Sequence, residues 1–414
     1  MHPTRSFTFS CLASIILVGL GGQAFSSTVA VGTCTSLINF ATIQLAVNSV
    51  PAGSTIKVCP GTYPEQVVIN KKLNLQGIPN SSGSQDAAVI LPPAGGVLVN
   101  TTDQRGAVAA QVLVQNTAGP VLISNLTVDG KGNQYSGDDL RGICYQDASG
   151  IVDHVAVRNE IPNDIPTGDQ SGQGIMVETT NSPSASLTVE NSSVHNYNKN
   201  GIVARYAGAT LTASGNYVQG SGPIDVIAQN GIELAFNGPT GTIKNNTVID
   251  NFYTLNTSSS SDILLYDAKE NGSIVVSGNV LGNSNVAISL FTDSTGTYGD
   301  GVSVTSNKIF GTSTFDGIDV CTNGNTITSN TIFNSSQSGI HLDASCTGTG
   351  TGNAVTGNTI LESVCAGILD DPGTGVVGAT NVFYTVPFPV TGSTASCPFP
   401  SGPARAKTAS RLKP

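Results

Sequence analysis

The sequence lacks tryptophan entirely, and only 11% of its 414 residues are charged. Helical solenoids depend on Ala, Leu, Glu and Lys, whereas this chain has 48 glycines and abundant Asn, Ser and Thr. Acidic residues outnumber basic ones, so the formal net charge is −10. A nucleic-acid partner would require a basic patch that neutralises phosphates. We therefore expect neither a helical repeat fold nor a nucleic-acid partner.

Long apolar runs are also lacking, since a membrane-spanning helix needs roughly 18 or more apolar residues in succession. A shorter run from Cys11 to Leu20 follows Arg5 and precedes the small residues Ala24 and Ser26. This order is typical of a secretory signal peptide, which we predict over residues 1–26. We therefore expect a secreted or periplasmic protein without a membrane span.

Cysteine is present in a number that suits an exported chain, because export brings thiols into an oxidising compartment. Of the eight cysteines, Cys11 lies in the predicted signal peptide. Spacing alone does not determine connectivity. We predict three pairs and leave Cys144 as a free thiol; the pairs are Cys34 with Cys59, Cys321 with Cys346, and Cys365 with Cys397.

Two short units recur along the chain. The first is Gly-Ile or a close variant, with its isoleucine at Ile143, Ile175, Ile202, Ile232, Ile263, Ile288, Ile318, Ile340 and Ile368. The second is Asn followed two residues later by Ile, Val or Leu, and it begins at Asn216, Asn246, Asn279, Asn307, Asn330 and Asn358. The two units stay in phase over the last repeats, which indicates at least two elements per repeat.

These repeats favour strands over helices. A helix pair would need two amphipathic windows of about 10 to 12 residues each, whereas the apolar runs here are short and are bounded by Gly, Asn, Ser or Asp. The motifs of leucine-rich repeats and propellers are missing. What remains is a coil of short parallel strands that stack about 4.8 Å apart and bury columns of apolar side chains. Gly and Asn suit corners that need left-handed backbone.

The two ends of the chain differ from the repeats. Thr42 is a candidate N-cap before apolar residues at helical spacing, which are Ile43, Ala46, Val47 and Val50. We therefore predict a short capping helix within an N-terminal cap and first strands over residues 27–77. Residues 401–414 are basic and show no apolar period, so we predict a disordered tail there.

The repeats resemble those of a known superfamily. Asn279-Val280-Leu281 followed by Ala287-Ile288, and Asn330-Thr331-Ile332 followed by Gly339-Ile340, are similar to the PbH1-type repeats of right-handed parallel β-helix, or pectin-lyase-like, proteins. The segment from Thr42 to Gly77 resembles the opening of many such proteins, pectin methylesterases among them. The resemblance implies an all-β fold, a single-stranded right-handed parallel β-helix over residues 27–400, and a polysaccharide partner.

The catalytic motifs of the superfamily are mostly missing. Polygalacturonases carry several acidic and basic motifs, of which this chain offers only Asp138-Asp139, and methylesterases need a tryptophan. The Asp-Pro-His-Asp stretch of mannuronan epimerases is missing as well. The segment from Ile151 to His154 resembles one fragment of a pectate lyase motif, but the arginine motif that should follow it is not seen, so an ordinary repeat with outward polar residues is the preferred interpretation. The resemblance is therefore specific for fold and leaves the chemistry open.

Repeat geometry offers an independent route to a site, because alternate residues of a strand point outward. The first and third positions after each isoleucine form two outward columns. On adjacent repeats these columns bring together Glu178, Arg205 and Glu233, either as a surface ion-pair ladder or as a guanidinium that binds a uronate. Tyr266 and Phe291 follow, and they could stack on sugar rings or pack under a loop.

A second group on the same columns contains Asp319, His341 and Asp343, with Asp370 and Asp371 one repeat further. A histidine between two outward aspartates is our candidate acid and base catalyst. The alternatives are a solvated charged face and a cation site built from Asp343, Asp370 and Asp371. The insertion over residues 160–173 could wall one end of a groove, or it could be a tolerated bulge.

Two functions are compatible with these features. The first is a carbohydrate-active enzyme, a polysaccharide lyase or a glycoside hydrolase, that works in the outward groove. The second is a non-catalytic surface or matrix protein that binds glycan. We expect a monomer in either case, and a bound cation such as Ca²⁺ could bridge the acidic protein to an acidic glycan.

Overall fold

Three long parallel sheets make up the described chain in the computed structural model. The described residues are 26–80, 83, 85–137, 139–255, 257–268, 274–293, 298–347 and 349–392. The sheets have 14, 12 and 13 strands within these ranges. Successive strands of each sheet are parallel and belong to successive coils of the chain. The predicted right-handed parallel β-helix is thereby confirmed.

The first sheet contains strands that begin each coil. They are β1 (Thr28–Val31), β2 (Asn39–Phe40), β3 (Ser54–Val58), β6 (Leu73–Gly77), β10 (Val121–Ser124), β13 (Gly150–Asp153), β16 (Ala185–Glu190), β19 (Ala209–Ser214), β22 (Thr240–Lys244), β25 (Ile274–Ser277), β28 (Ser303–Thr305), β31 (Thr326–Thr328), β34 (Ala354–Thr356) and β37 (Val376–Val377).

The second sheet takes the next strand of each coil. Its strands are β4 (Gly61–Pro64), β7 (Ala88–Leu91), β11 (Thr127–Asp129), β14 (Ala156–Arg158), β17 (Ser193–His195), β20 (Tyr217–Ile224), β23 (Thr247–Tyr253), β26 (Val280–Gly282), β29 (Lys308–Thr312), β32 (Thr331–Ser335), β35 (Thr359–Leu361) and β38 (Val382–Tyr384). A 3₁₀ turn over Gln85–Ala87 precedes β7.

The third sheet carries the Gly-Ile repeats. Its parallel strands are β5 (Val67–Ile69), β9 (Gly106–Gln115), β12 (Leu140–Gln146), β15 (Gln173–Glu178), β18 (Asn200–Arg205), β21 (Asn230–Ala235), β24 (Ser261–Tyr266), β27 (Val286–Phe291), β30 (Ile318–Val320), β33 (Ile340–Leu342), β36 (Ala366–Asp370) and β39 (Phe388–Thr391). One further strand, β8 (Thr101–Asp103), pairs antiparallel with β9 and forms a hairpin with it.

The repeat isoleucines form a single column, as the sequence predicts. Each is the register partner of the next, from Ile143 with Ile175 through to Ile340 with Ile368. All of them are completely buried. Burial of one such side chain contributes about 1.5–3 kcal/mol, so these columns are the main source of stability.

The repeat asparagines form a second column, in which each side-chain nitrogen donates to the next side-chain oxygen at 2.9–3.0 Å. The same oxygens accept the backbone N–H of the preceding asparagine at 3.0 Å. Each amide is therefore buried and fully hydrogen-bonded. The column runs from Asn216 to Asn358 and continues to Asn381.

Replacing Asn279 by Ala should test the contribution of this column. The change removes the acceptor of Asn246 and the donor to the Ile243 carbonyl, and buried groups left without partners cost about 1–3 kcal/mol each. We expect urea denaturation to show a loss of about 3 kcal/mol. Asn181→Ala is the control because Asn181 is exposed, and equal losses in both variants would contradict the assigned role.

The corners differ in one respect from the sequence-based expectation. The glycines before the repeat isoleucines do not have a positive φ. At Gly201 an added Cβ would lie 2.7 Å from the Gly231 carbonyl oxygen, so glycine is required there by close approach of the next coil. The left-handed residues instead come directly before the column asparagines, as with Gly278 at φ 66°.

The N-terminal helix and two of the disulfides agree with the predictions. Helix α1 spans Ile43–Ser49, and the Thr42 side chain caps it by accepting from Leu45 N. Cys34 is bonded to Cys59 and Cys321 to Cys346, and Cys144 is a free, buried thiol.

Several sequence-based predictions concern residues that the structure does not describe. Cys397, most of the predicted signal peptide and the predicted tail over residues 401–414 lie outside the described residues. The pairing of Cys365 with Cys397 and the domain boundaries therefore stay predictions. No helix in the described part of the chain is long and apolar enough to cross a membrane.

Candidate functional site

The outer face of the third sheet carries the charged columns that the repeat geometry predicts. Register pairs join Glu178 to Arg205, Val203 to Glu233, and Tyr266 to Phe291. They also join Ser289 to Asp319 and Asp319 to His341. Both predicted groups therefore share one face, and Glu233 and Asp319 are three strand steps, or about 14 Å, apart.

Arg141 is the centre of a fully buried ion-pair network at one end of this face. Its guanidinium contacts Asp139 at 2.9 Å, Glu178 at 2.6 Å, and Asp103. It also donates to the free thiol of Cys144 at 3.3 Å. Three carboxylates around one cation satisfy its donors, and Arg141 in turn fixes the three chain segments that carry them.

Asp103 links this network to the β8–β9 hairpin. Besides contacting Arg141, its carboxylate accepts the backbone N–H groups of Arg105 at 2.7 Å and Gly106 at 3.1 Å. Gln146 adds a second attachment, since it donates to the Thr102 carbonyl at 2.9 Å. The hairpin is thereby held on the sheet, and Arg105 lies at its turn.

A pocket opens beside this turn. Its walls come from the hairpin, the third sheet and the insertion before β15, and the lining residues are Arg105, Gln170, Lys199, Arg205, Asn230, Glu233, Phe236, Leu264 and Tyr266. Arg205, Glu233 and Tyr266 belong to the predicted substrate-binding residues. Gln170 comes from the predicted wall segment.

The predicted ion-pair ladder of Glu178, Arg205 and Glu233 does not form. Glu178 pairs with Arg141, and Glu233 belongs to the neighbouring column, so neither carboxylate of these two described residues is within ion-pairing distance of Arg205. Arg205 instead lies 3.5 Å from Asp139 and above the Phe236 ring at 5.8 Å. Its side chain is buried, and its Nε has no hydrogen-bond partner among the described residues.

Glu233 and Lys199 complete the polar lining. Asn230 donates to Glu233 Oε2 at 2.7 Å, and Lys199 Nζ donates to the Ala228 carbonyl at 2.7 Å. Burial, together with the nearby cations Arg205 and Arg105, lowers the pKa of Lys199 to about 8 against the opposing effect of Glu233. The amine is therefore partly neutral just above neutral pH.

The aromatic residues of this face pack on each other. Tyr266 stacks on Phe291 with ring centroids 5.6 Å apart and meets Phe236 edge-on at 5.3 Å. The Tyr266 hydroxyl donates to Asp293 at 2.5 Å. Tyr266 lines the pocket, whereas Phe291 supports it from the next strand. Their predicted contact with substrate stays a prediction.

The second predicted group surrounds His341. Asp316 lies 3.2 Å from Nδ1, Asp371 3.0 Å from Nε2, and Asp319 4.0 Å from Nδ1. Burial alone would lower the pKa of His341, but the carboxylates of Asp316, Asp371 and Asp319 outweigh it and raise the pKa to about 9. The imidazole is therefore charged at neutral pH, which suits a proton donor better than a base.

Asp343 lies beside this group and also beside the second disulfide, with its Oδ2 3.4 Å from Cys346 Sγ. Two sets of potential ligand atoms lie within 4.8 Å of one another, Asp316 with Asp319 and His341, and His341 with Asp343 and Asp371. They suit a cation in composition, but acidic side chains often cluster without one. The catalytic roles of Asp319, His341 and Asp343, and the calcium site, stay predictions.

The raised pKa of His341 gives the stability a defined pH dependence. Because the pKa is about 9 in the folded chain and about 6.5 in the unfolded chain, the contribution is complete below pH 6.5 and is lost as the pH rises to about 9. The shift corresponds to roughly 3 kcal/mol.

We expect the stability difference between wild type and His341→Gln to disappear over this range in urea denaturation. His154→Gln, with an exposed ring, is the control, and a difference that does not depend on pH would contradict the assignment.

Sequence reasoning missed several residues of the site, including Arg105, Arg141, Lys199 and Asp316. Arg141 and Asp316 occupy the position two residues before the repeat isoleucine, whereas the two predicted outward columns come after it. In the structure this position also holds Gln173, Asn200 and Asn230 in register. Arg105 carries no repeat signal, because it comes from a hairpin outside the repeats.

Comparison with known proteins identifies the fold. No protein-family model matches the chain, and no curated protein matches it in sequence. Two structures of GH136 lacto-N-biosidase from Eubacterium ramulus are similar, with TM-scores of 0.58 and 0.55 at 11% and 12% identity, covering 88% of this chain and 68% and 67% of theirs. The mannuronan C-5 epimerase AlgE4 A-module of Azotobacter vinelandii gives 0.48 at 14% identity, covering 84% of this chain and 92% of its own. At these identities the likeness to the lacto-N-biosidase shows the fold alone, which is the parallel β-helix.

Proposed function

We propose that this chain is a secreted β-helix protein that binds a polysaccharide along the outer face of its third sheet and cleaves it there, as a lyase or a glycoside hydrolase. The observation that carries the proposal is the pocket in which Arg205, Glu233 and Tyr266 converge with Lys199 and Arg105. Converging polar groups beside aromatic rings fit a ligand site, because a few well-placed polar side chains fix the orientation of a bound ligand.

Two further features support the proposal. The His341 group lies on the same face, about 14 Å along it, so an extended polymer could contact both sites at once. One of the similar solved structures is a lacto-N-biosidase, which by its name acts on a carbohydrate. Secretion is supported by the disulfides Cys34–Cys59 and Cys321–Cys346, because such bonds persist in oxidising compartments.

The test is a panel of acidic and neutral polysaccharides, offered to the purified chain with and without calcium. Absorbance of unsaturated products reports elimination, and reducing ends report either kind of cleavage. Binding is followed in parallel by affinity electrophoresis. We expect binding and turnover on at least one glycan, and both should fall at least about tenfold in Glu233→Gln, since a hydrogen bond to a charged group contributes about 1.5–3 kcal/mol.

Glu190→Gln is the matched control, because Glu190 lies on the first sheet, whereas the pocket is on the third. Binding without turnover would favour a non-catalytic glycan-binding protein on the same surface. Neither binding nor turnover on any glycan would contradict the proposal, and so would equal effects of the two substitutions.

A further inference from the structure

The pocket concentrates positive charge in a chain that is otherwise acidic. The whole sequence has 17 basic and 27 acidic residues, yet the lining of the pocket has three cations, Arg105, Lys199 and Arg205, and one carboxylate, Glu233. Two further carboxylates, Asp103 and Asp139, lie near these cations. Like charges brought together in a partly buried site repel each other. Asp103 and Asp139 offset part of this repulsion, so the hydrogen bonds of the individual cations decide whether the pocket is complete without a ligand.

Arg205 is a buried cation whose hydrogen-bonding capacity is not filled within the described ranges. The residue is 1% exposed, lines the pocket, and has no hydrogen-bond partner for Nε within those ranges. Asp139 at 3.5 Å is its one ion-pair contact there, and that carboxylate is already held by Arg141 at 2.9 Å. A buried guanidinium donor without a hydrogen-bond partner is costly. This indicates that a bound ligand accepts a hydrogen bond from Arg205.

The pKa values of the two neighbouring cations, Arg105 and Lys199, are lowered by burial and by repulsion between the cations. Burial lowers the pKa of Arg105, and Arg205 lowers it further. Burial also lowers the pKa of Lys199, and the positive charges of Arg205 and Arg105 add to this effect. An anion in the pocket would reverse the mutual repulsion of the three side chains, so the free energy of binding would include this relief.

The backbone at Arg105 is held in place before any ligand arrives. The Asp103 carboxylate holds its backbone N–H at 2.7 Å and is itself held by buried Arg141. The Asp103 carboxylate therefore links the hairpin turn to the buried Arg141 network. Preorganised donors lose little conformational entropy on binding.

The remaining lining residues restrict the kind of anion. Glu233 would repel a highly charged ion, but its carboxylate can accept hydrogen bonds from hydroxyl groups. The Phe236 ring offers an apolar surface on which the C–H face of a sugar can pack. An oxyanion carried on a hydroxylated ring satisfies the cations, the carboxylate and the aromatic ring together.

We propose that the pocket of Arg105, Lys199 and Arg205 binds the acidic group of an anionic sugar unit, a uronate carboxylate or a sulfate ester. This inference rests on the proposed function and names its substrate class. Arg105 and Arg205 bind the oxyanion, and Glu233 accepts a ring hydroxyl.

Calorimetric titration with three monosaccharides tests the pocket alone. D-glucuronate, glucose 6-sulfate and glucose are offered to the full chain, so that the two acidic ligands separate carboxylate from sulfate recognition and glucose measures the neutral background. We expect at least one acidic sugar to bind and glucose to bind much more weakly. Affinity should fall as the pH rises above about 8, because Lys199 loses its proton there.

Arg105→Gln is the main variant, because Arg105 is only half-buried and lies in a turn, and the fold should tolerate the change. It should weaken binding of the acidic sugar at least about tenfold and leave glucose unchanged. Lys308→Gln is the control, because Lys308 is exposed on the second sheet. Unchanged melting temperatures establish that both variants are folded.

The outcomes separate this inference from the broader proposal. If neither acidic sugar binds better than glucose, or if Arg105→Gln binds like wild type, the inference is overturned even where neutral polysaccharides are cleaved. If an acidic sugar binds through Arg105 while no polymer is bound or cleaved, the pocket assignment stands and the proposed function fails.

Discussion

Replacing Ile340 by Asp is expected to lower the free energy of unfolding by about 5 kcal/mol or more, because the change buries a charge without a partner. Ile340 is completely buried and is the register partner of both Ile318 and Ile368. A carboxylate there would interrupt the isoleucine column for three successive coils. Urea denaturation followed by circular dichroism measures the loss.

The control for this prediction is Thr331→Asp, which places the same side chain on the exposed outer face of the second sheet. We expect a change within about 0.5 kcal/mol. Similar losses for the two substitutions would mean that the inward and outward faces are assigned incorrectly, and the candidate site would then lose its geometric basis.

Replacing Arg141 by Met is expected to cost about 3–5 kcal/mol, the usual effect of removing one partner from a buried ion pair. The substitution leaves the buried carboxylates of Asp103, Asp139 and Glu178 facing each other. Arg158→Met is the matched control, since Arg158 makes a similar pair of contacts to Asp86 and Asp129 but is partly exposed. We expect about 1 kcal/mol or less there.

The effect of Arg141→Met should depend on pH in a predictable direction. Burial alone would raise the pKa of Asp139, but Arg141 and its neighbours hold it below its usual value. Without Arg141 burial dominates, so the carboxylates of the network take up protons more readily. The stability gap to wild type should therefore narrow as the pH falls, and a gap that widens in acid would contradict the assigned network.

Arg141→Met should also affect the pocket, because Asp103 fixes the hairpin turn through Arg141. Hydrogen exchange at the Arg105 and Gly106 amides is expected to accelerate in this variant. These amides should be unaffected in Arg158→Met.

The fold was predictable because it rests on a repeated signal. The isoleucine and asparagine units recur in nine and six copies, and the structure places each set in one column. A periodic pattern also fixes which side chains point outward, so the common face of Glu178, Arg205, Asp319 and His341 followed from the same count.

The site was only partly predictable, because contacts between columns depend on features that do not repeat. Glu178 was assigned to Arg205 by register, yet Arg141 from the preceding strand takes it because that guanidinium is closer and fully buried. Arg105 reaches the pocket through the β8–β9 hairpin, which has no counterpart in the described parts of the other coils. Asp316 was missed because it precedes its repeat isoleucine.

The reason for glycine before the repeat isoleucine was also not predictable from the sequence. Glycine before the repeat isoleucine was expected from backbone conformation, whereas at Gly201 it is needed because the next coil approaches too closely for a Cβ. Sequence alone identifies the position, but the cause depends on the distance between coils.

A crystal structure of the chain soaked with an oligosaccharide of uronic acids would test the proposed site most directly. We predict a sugar on the outer face of the third sheet, with its carboxylate hydrogen-bonded to Arg105 and Arg205 and a ring hydroxyl on Glu233. A sugar bound only on the first or second sheet, with the Arg205 pocket unchanged, would contradict the proposed site.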